Sequence, residues 1–325
     1  MKKNIAIIAG GDSGEYEISI NSAQIVKQHL SDEKYSSYVI VIRGNDWYYE
    51  TNDEARVAIN RHDFSLNMDG KPIRFDVVFN AIHGTPGENG IIQGYFDLLN
   101  IPYTSCDVMT SALTFNKSYC KRVVSSFGIP MASSTHLFKQ DGYLVEDILK
   151  DLKLPLFVKP NAGGSSVGMS KVNKKDELEK AIKLAFAEDD EVLIEEYIPG
   201  REITCGVFNF KGKMMAFPIT EIITKKEFFD YEAKYTAGIS DEITPADISE
   251  EIDTDCKAIS VDLYHRLNCK GLVRFDYIFN ENGIWFLEVN TVPGLSEASI
   301  VPQQAQEFGL TLTELFGMMI ENVLD

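Results

Sequence analysis

The chain contains no C-x-x-C pair: its five cysteines, Cys106, Cys120, Cys205, Cys256 and Cys269, are odd in number and widely scattered. Such spacing suggests neither a disulfide framework nor a zinc site and fits a reducing cytoplasm. Long apolar runs are missing too, since nothing approaches the roughly twenty residues of a membrane span. The N-terminal run Ile5-Ala6-Ile7-Ile8-Ala9 stops at Gly10-Gly11, too short for a signal-peptide core. A cytoplasmic chain without membrane association is expected. Basic charge is scarce: Lys+Arg 31 against Asp+Glu 49 give a formal net charge of −18, with no local basic cluster. A surface of that sign repels nucleic acid and anionic membranes. A polyanionic small molecule remains admissible, provided lysines and backbone N–H groups reverse the field in one pocket. Lysines beside glycines are therefore the informative residues.

What is present is a globular composition, 44% hydrophobic and 25% charged, over 325 residues, enough for two or three domains. "NIAIIAGG" reads as a buried parallel strand entering a glycine turn, and "EYEISINSAQIVKQHL" as the helix that follows. Further strand signals at 38–42 and 75–84 and a helix in "GIIQGYFDLLN" predict a doubly wound α/β domain over 1–102. Strands then dominate, with "LFVKP", "GMSKV" and "EVLIEEYI" around a helix at 176–187, giving an α+β unit over 103–195. A third unit, 196–325, holds "REITCGVFN", a helix near 249–267 and two strands in "GLVRFDYIFNENGIWFLEVN". Within it, about 224–248, lies a polar stretch with Phe228, Phe229, Tyr231 and Tyr235, aromatics unusual in a solvated linker, which reads as a functional lid.

"KPNAGGSSVGM" lacks the order of a G-x-x-x-x-G-K-[ST] phosphate loop, because its lysine precedes its glycines. The physics is similar. Gly163, Gly164 and Gly168 let successive N–H groups converge on phosphate, Lys159 supplies a point charge, and Ser165 and Ser166 supply hydroxyls. A flexible hairpin turn is the alternative. In the last strand pair, setting apolar residues against each other aligns 275 with 289 and 277 with 287, which puts Asp276 opposite Glu288 and Arg274 opposite Asn290. That register requires an odd-membered loop or a bulge around Glu281-Asn282-Gly283, since a strict two-residue hairpin turns Asp276 to the wrong face. Two carboxylates and an amide oxygen suit Mg²⁺; a solvated polar face is the alternative.

The motifs "GGDSGEYEIS", "IHGTPGENG", "NKSYCK", "VKPNAGGSSVGMSKV", "EVLIEEYIPGRE", "YEAKY", "RFDY" and "LEVNTVPGLSEASIVP" follow one another along nearly the whole chain. In that order and spacing the chain resembles the ATP-grasp superfamily and, within it, the D-alanine:D-alanine ligase family. The resemblance implies a three-domain ATP-grasp architecture, ATP and two Mg²⁺ ions (with Mn²⁺ as a substitute), D-alanine as substrate, a homodimer formed through the N-terminal domain, and dipeptide synthesis through an acyl phosphate for peptidoglycan. It assigns ATP to Lys117, Lys159, the loop Gly163, Gly164, Ser165, Ser166, Val167, Gly168, then Glu195, the backbone around Glu196 and Ile198, Glu202 for the ribose, and the lid's Lys234. Metal ligands are implied at Asp276, Glu288 and Asn290. Glu15, linked through Ser165 to Tyr235, would pair with the first substrate's ammonium. The resemblance also implies His83 at the first subsite and Ser299 at the second substrate's carboxylate. Arg274 and the backbone of Gly294 would stabilise the oxyanion. For several of these a plainer reading stands beside the implied one: a helix N-terminal acid for Glu15, a packed histidine for His83, a salt bridge to Asp276 for Arg274. Departures from the family's commonest spellings occur at Phe229, "HGTPGENG" and "NTVPGLSEAS", with Glu297 near the second subsite. Rival readings are a ligase using D-serine or D-lactate second, disfavoured for D-lactate by "YEAKY", and a nucleotide-binding regulatory protein without turnover.

Overall fold

A computed structural model describes residues 2–51, 53–164, 166–224 and 240–324. Ser165 and the lid residues Phe228, Phe229, Tyr231, Lys234 and Tyr235 lie outside the described residues. Among the described residues the strands form three sheets.

The first strand, Lys3–Gly10, is fully buried from Ile5 onward, as a strand covered on both faces must be. It pairs in parallel with Tyr35–Arg43 on one side and Val77–Asn80 on the other. Helix Tyr16–His29 presents Ser19, Ser22, Ala23 and Val26 inward, at helical spacing, to one face of this sheet. Ile92 and Phe96 of helix Ile91–Leu99 pack on the other face. The expected α/β arrangement is therefore present at its centre, but four antiparallel strands (Asp46–Glu50, Arg56–Asn60, Ser65–Met68 and Lys71–Ile73) extend the sheet to seven. The chain's last helix, Leu312–Leu324, also packs on the first face, its Leu315, Phe316 and Met319 meeting Ile5, Ile7 and Phe79 in one apolar cluster.

A four-stranded antiparallel sheet follows, with Leu156–Pro160 and Glu191–Glu196 at its centre and helix Lys175–Glu188, expected at 176–187, beneath it. The third sheet runs Ser240–Ile243, Thr220–Thr224, Arg201–Phe210, Leu272–Asn280, Gly283–Asn290, with Lys213–Ala216 attached to Arg201–Phe210. Val273, Phe275 and Tyr277 face an apolar cluster with Leu263 and Tyr264 of helix Glu250–Arg266, so Arg274 and Asp276 point to the opposite face.

The hairpin register is as expected over its critical part: Arg274 opposes Asn290, Phe275 opposes Val289 and Asp276 opposes Glu288. The compensating irregularity lies elsewhere. Asn280 pairs with Gly283 across a two-residue turn, and a bulge between Asp276 and Tyr277 leaves Leu287 without a cross-strand partner, so Tyr277 opposes Phe286 rather than Leu287. The bulge makes the face switch that the tight turn forbids.

Candidate active site

A cavity of about 510 Å³ opens where the three sheets approach one another, lined among others by Glu15, His83, Lys117, Gly164, Arg274, Glu288, Asn290, Gly294 and Ser299. Residues hundreds of positions apart in sequence thus share one wall.

Glu15 is the residue before helix Tyr16–His29 and makes no side-chain cap bond to it. Its carboxylate lies against the glycine loop so closely that a Cβ on Gly164 would stand 2.7 Å from Glu15 Oε2. Its place at the helix start still suits an acid favoured by the dipole, while the carboxylate itself lines the cavity. His83 is buried, its Nδ1 2.9 Å from the Val292 carbonyl and its Nε2 2.9 Å from Ser22 Oγ. Because a carbonyl only accepts, Nδ1 carries the proton and Nε2 accepts from Ser22 in the neutral ring. Burial pushes the ring's pKa down against the opposing pull of Glu15.

The loop after Lys159 carries Gly163, Ser166 and Gly168 at positive φ. At Gly168 a side chain would also strike Pro160 and Glu188. Lys117 Nζ donates to the Gly163 carbonyl at 2.6 Å and stands 3.8 Å from Glu288. Asn116 caps the helix Lys117–Ser125, accepting from the Tyr119 N–H at 3.0 Å, and so fixes where Lys117 starts. Lys159 is ion-paired to the buried Glu195, which also binds Lys121. Burial favours the neutral Glu195 acid, yet Lys159 and Lys121 outweigh it and hold the carboxyl at about 2. Burial likewise disfavours the Lys159 cation, and Glu195 with Glu288 reverse that, leaving its pKa raised. Glu196 turns its side chain away, accepting from the Lys153 N–H at 2.8 Å. The Val167 N–H donates to the Gly164 carbonyl at 3.4 Å within the loop, Ile198 is half-buried just after strand Glu191–Glu196, and Glu202 adds to the field at Lys159 and Arg274.

Arg274 grips Asp276 with two bonds of 2.8 Å, and Thr204 Oγ1 donates to Asp276 Oδ1 at 2.6 Å. Burial alone lowers the Arg274 pKa, but Asp276 overrides it, so the guanidinium stays charged. Asn290 Nδ2 donates to Asp276 Oδ2 at 2.8 Å, which leaves the Asn290 amide oxygen for another partner. Among the described residues no group of three His, Cys, Asp or Glu is placed to hold a metal. The set here is instead two carboxylates plus an amide oxygen, donors that fit a hard divalent cation. Gly294 sits against Ser299, whose Oγ is 2.7 Å from Ser296 Oγ. Glu297 is exposed and pairs with His29 at 3.2 Å.

Sequence reasoning passed over four residues that the cavity region uses. Glu88 lies inside the quoted "HGTPGENG", yet its role emerges only in three dimensions: its oxygens accept from the N–H groups of Gly84 at 2.7 Å and Val292 at 3.1 Å. Burial, then Glu15, raise its pKa to about 7. Thr204 and Glu242 carried no motif. Lys121, one helical turn beyond Lys117, was findable from the i, i+4 spacing alone.

Two family models match the chain, D-ala D-ala ligase N-terminus over residues 4–106 and D-ala D-ala ligase C-terminus over 123–321. A D-alanine–D-alanine ligase of Christiangramia forsetii is 48% identical over 325 residues, 100% of this chain and 99% of that one. Among solved structures, the VanG D-Ala:D-Ser ligase of Enterococcus faecalis superposes with a TM-score of 0.88 at 34% identity, covering 99% of this chain and 100% of that chain. D-alanyl-alanine synthetase A of Vibrio cholerae gives 0.89 at 28% identity, covering 99% and 98%.

Proposed function

The chain belongs to the D-alanine–D-alanine ligase family of ATP-dependent ligases, and from that premise we propose how its cleft joins two D-alanine molecules into D-alanyl-D-alanine for peptidoglycan synthesis. A carboxylate oxygen of the first D-alanine attacks the γ-phosphorus of ATP; the bond to the β-γ bridging oxygen breaks and ADP departs. The amine of the second D-alanine, having lost a proton, attacks the acyl carbon, and phosphate leaves with the original carboxylate oxygen.

The observation that carries this reading is the placement of the Glu15 carboxylate against Gly164 in a cavity that Arg274, Glu288 and Asn290 also line. Glu15 holds the ammonium of the first D-alanine, which directs that molecule's carboxylate toward the phosphate loop. Neutral His83, fixed by Ser22 and Val292, packs beside it without adding positive charge. Arg274 and the Gly294 N–H face the oxyanion of the tetrahedral state, where fixed donors contribute most. Ser299 binds the second carboxylate. Asp276, Glu288 and Asn290 would hold Mg²⁺, with Mn²⁺ as its substitute, and the ion supplies charge neutralisation on the phosphates. Lys117, Lys159 and Gly163 to Gly168 hold the phosphates, with Glu195, Glu196, Ile198 and Glu202 around the adenosine. Lys234, Ser165 and Tyr235 belong to the cover that excludes water from the acyl phosphate.

The division into 1–102, 103–195 and 196–325, and a homodimer, belong to the same reading. Supporting the dimer, Ile91, Leu98 and Met109 stand 64%, 84% and 78% exposed on the packed helices Ile91–Leu99 and Val108–Phe115. Among the described residues no helix is long and apolar enough to cross a membrane, and a cytoplasmic site of action suits ATP use.

The acyl phosphate is tested with D-alanine carrying ¹⁸O in its carboxylate. One labelled oxygen should appear in the released phosphate; label retained wholly in the dipeptide and free amino acid would exclude the intermediate.

A further inference from the structure

We propose that Lys121 positions the phosphate-binding Lys159, by serving as the standing counter-ion of Glu195; this rests on the ATP reading above and adds a residue to it. The two ammonium groups divide one carboxylate between them, Lys121 on Oε1 and Lys159 on Oε2. The site is largely shielded from water, the side chains of Lys121, Lys159 and Glu195 being 5%, 10% and 5% exposed. Lys121 is anchored a second time, its Nζ donating to the Ala132 carbonyl at 3.1 Å. Lys159 instead stands one residue before the end of the strand that leads into the glycine loop, and it also feels Glu288 and Glu202.

Two cations on one anion leave a surplus of one positive charge. Because Lys121 is fixed on both sides, that surplus resides on Lys159, the lysine next to the loop. Lys159 can therefore exchange carboxylate for phosphate while Glu195 keeps a partner. Stripping a buried carboxylate of its last cation is strongly unfavourable. Without Lys121 the cluster would be neutral, Glu195 would retain Lys159, and a phosphate arriving at the loop would gain little. An ion pair that merely supports the fold predicts no such dependence on phosphate.

The test is the affinity of the full-length protein for adenosine and for ADP with Mg²⁺, measured by titration calorimetry or competition, in the wild type, Lys121→Met and Lys121→Met/Glu195→Gln. The readout is the ratio of the two dissociation constants, which cancels effects on the adenosine pocket. Lys121→Met should shrink that ratio at least about tenfold. Adding Glu195→Gln should return it to within about threefold of wild type, since Lys159 is then released. An unchanged ratio in Lys121→Met overturns the proposal, as does an equal loss in the double variant. Should Lys121→Met fail to fold, the double variant decides alone: a ratio near wild type supports the proposal and a tenfold smaller one overturns it. A wild-type protein that binds neither nucleotide instead overturns the ATP reading beneath it.

Discussion

Glu88 shows how a single carboxyl can join two loops and carry a pH signature. It bonds the Gly84 N–H of one loop and the Val292 N–H of the other, while His83 bonds the Val292 carbonyl, so the segment leading to Gly294 is clamped from both sides. With its pKa raised to about 7 by burial and then Glu15, the folded protein binds more protons here than the unfolded chain between about 4.5 and 7. Stability contributed by this group is therefore present below the unfolded value and lost as pH rises toward 7. Unfolding by urea at pH 5 and pH 8 should show wild type losing on the order of 2 kcal/mol more than Glu88→Gln over that interval. Equal losses would refute the buried-acid assignment. At the metal-ligand end, Thr204→Val removes the 2.6 Å bond to buried Asp276 while leaving Arg274 in place. It should cost about 1–2 kcal/mol in stability and lower turnover less than Asp276→Asn does, as steady-state rates would reveal. Arg274's pairing with Asp276 was legible in sequence, but Thr204's was not: Thr204 and Asp276 are 72 residues apart, and neither belongs to a pattern containing the other.

At the scale of elements, helix Lys117–Ser125 depends on Asn116, which caps it through Tyr119 and also donates to Glu191 at 3.2 Å. Asn116→Ala should lower stability by about 1 kcal/mol, read by thermal unfolding, and raise the Michaelis constant for ATP, because Lys117 is the first residue the cap orients. Unchanged values in both assays would show that the cap does not govern Lys117. The C-terminal hairpin was the most legible element, since alternation alone brought Arg274, Asp276, Glu288 and Asn290 to one face. Alternation does not say where the chain absorbs its extra residue: the bulge, one of the two expected devices, lies at Leu287 rather than around Glu281-Asn282-Gly283. The strands between 46 and 73 left a weaker trace. Asp46–Glu50 and Arg56–Asn60 each carry three apolar or aromatic side chains but bury only one, and at five residues they are too short for a sustained alternation to announce a sheet.

On the scale of the whole molecule, the first and last segments share one core. Helix Leu312–Leu324 completes the face of the sheet begun by Lys3–Gly10, and Lys34 pairs with Glu321 at 3.0 Å. Sequence order concealed this, because the helix lies at the far end of a segment read as a separate unit. The exposed apolar residues on Ile91–Leu99 and Val108–Phe115 mark the face proposed for the dimer. Leu98→Asp with Met109→Asp should convert dimer to monomer in light scattering, with stability per protomer little changed, since both residues already face solvent in the single chain. A wild type that is monomeric at micromolar concentration would refute the dimer.

The central claim is most directly tested by phosphate release from Mg²⁺-ATP with D-alanine alone, with L-alanine, and with D-alanine paired with D-serine or D-lactate, each product identified by mass. D-alanine alone should drive turnover and yield its dipeptide, while L-alanine should not. Turnover that requires D-serine or D-lactate, or ATP binding that no amino acid converts into phosphate release, would contradict that claim.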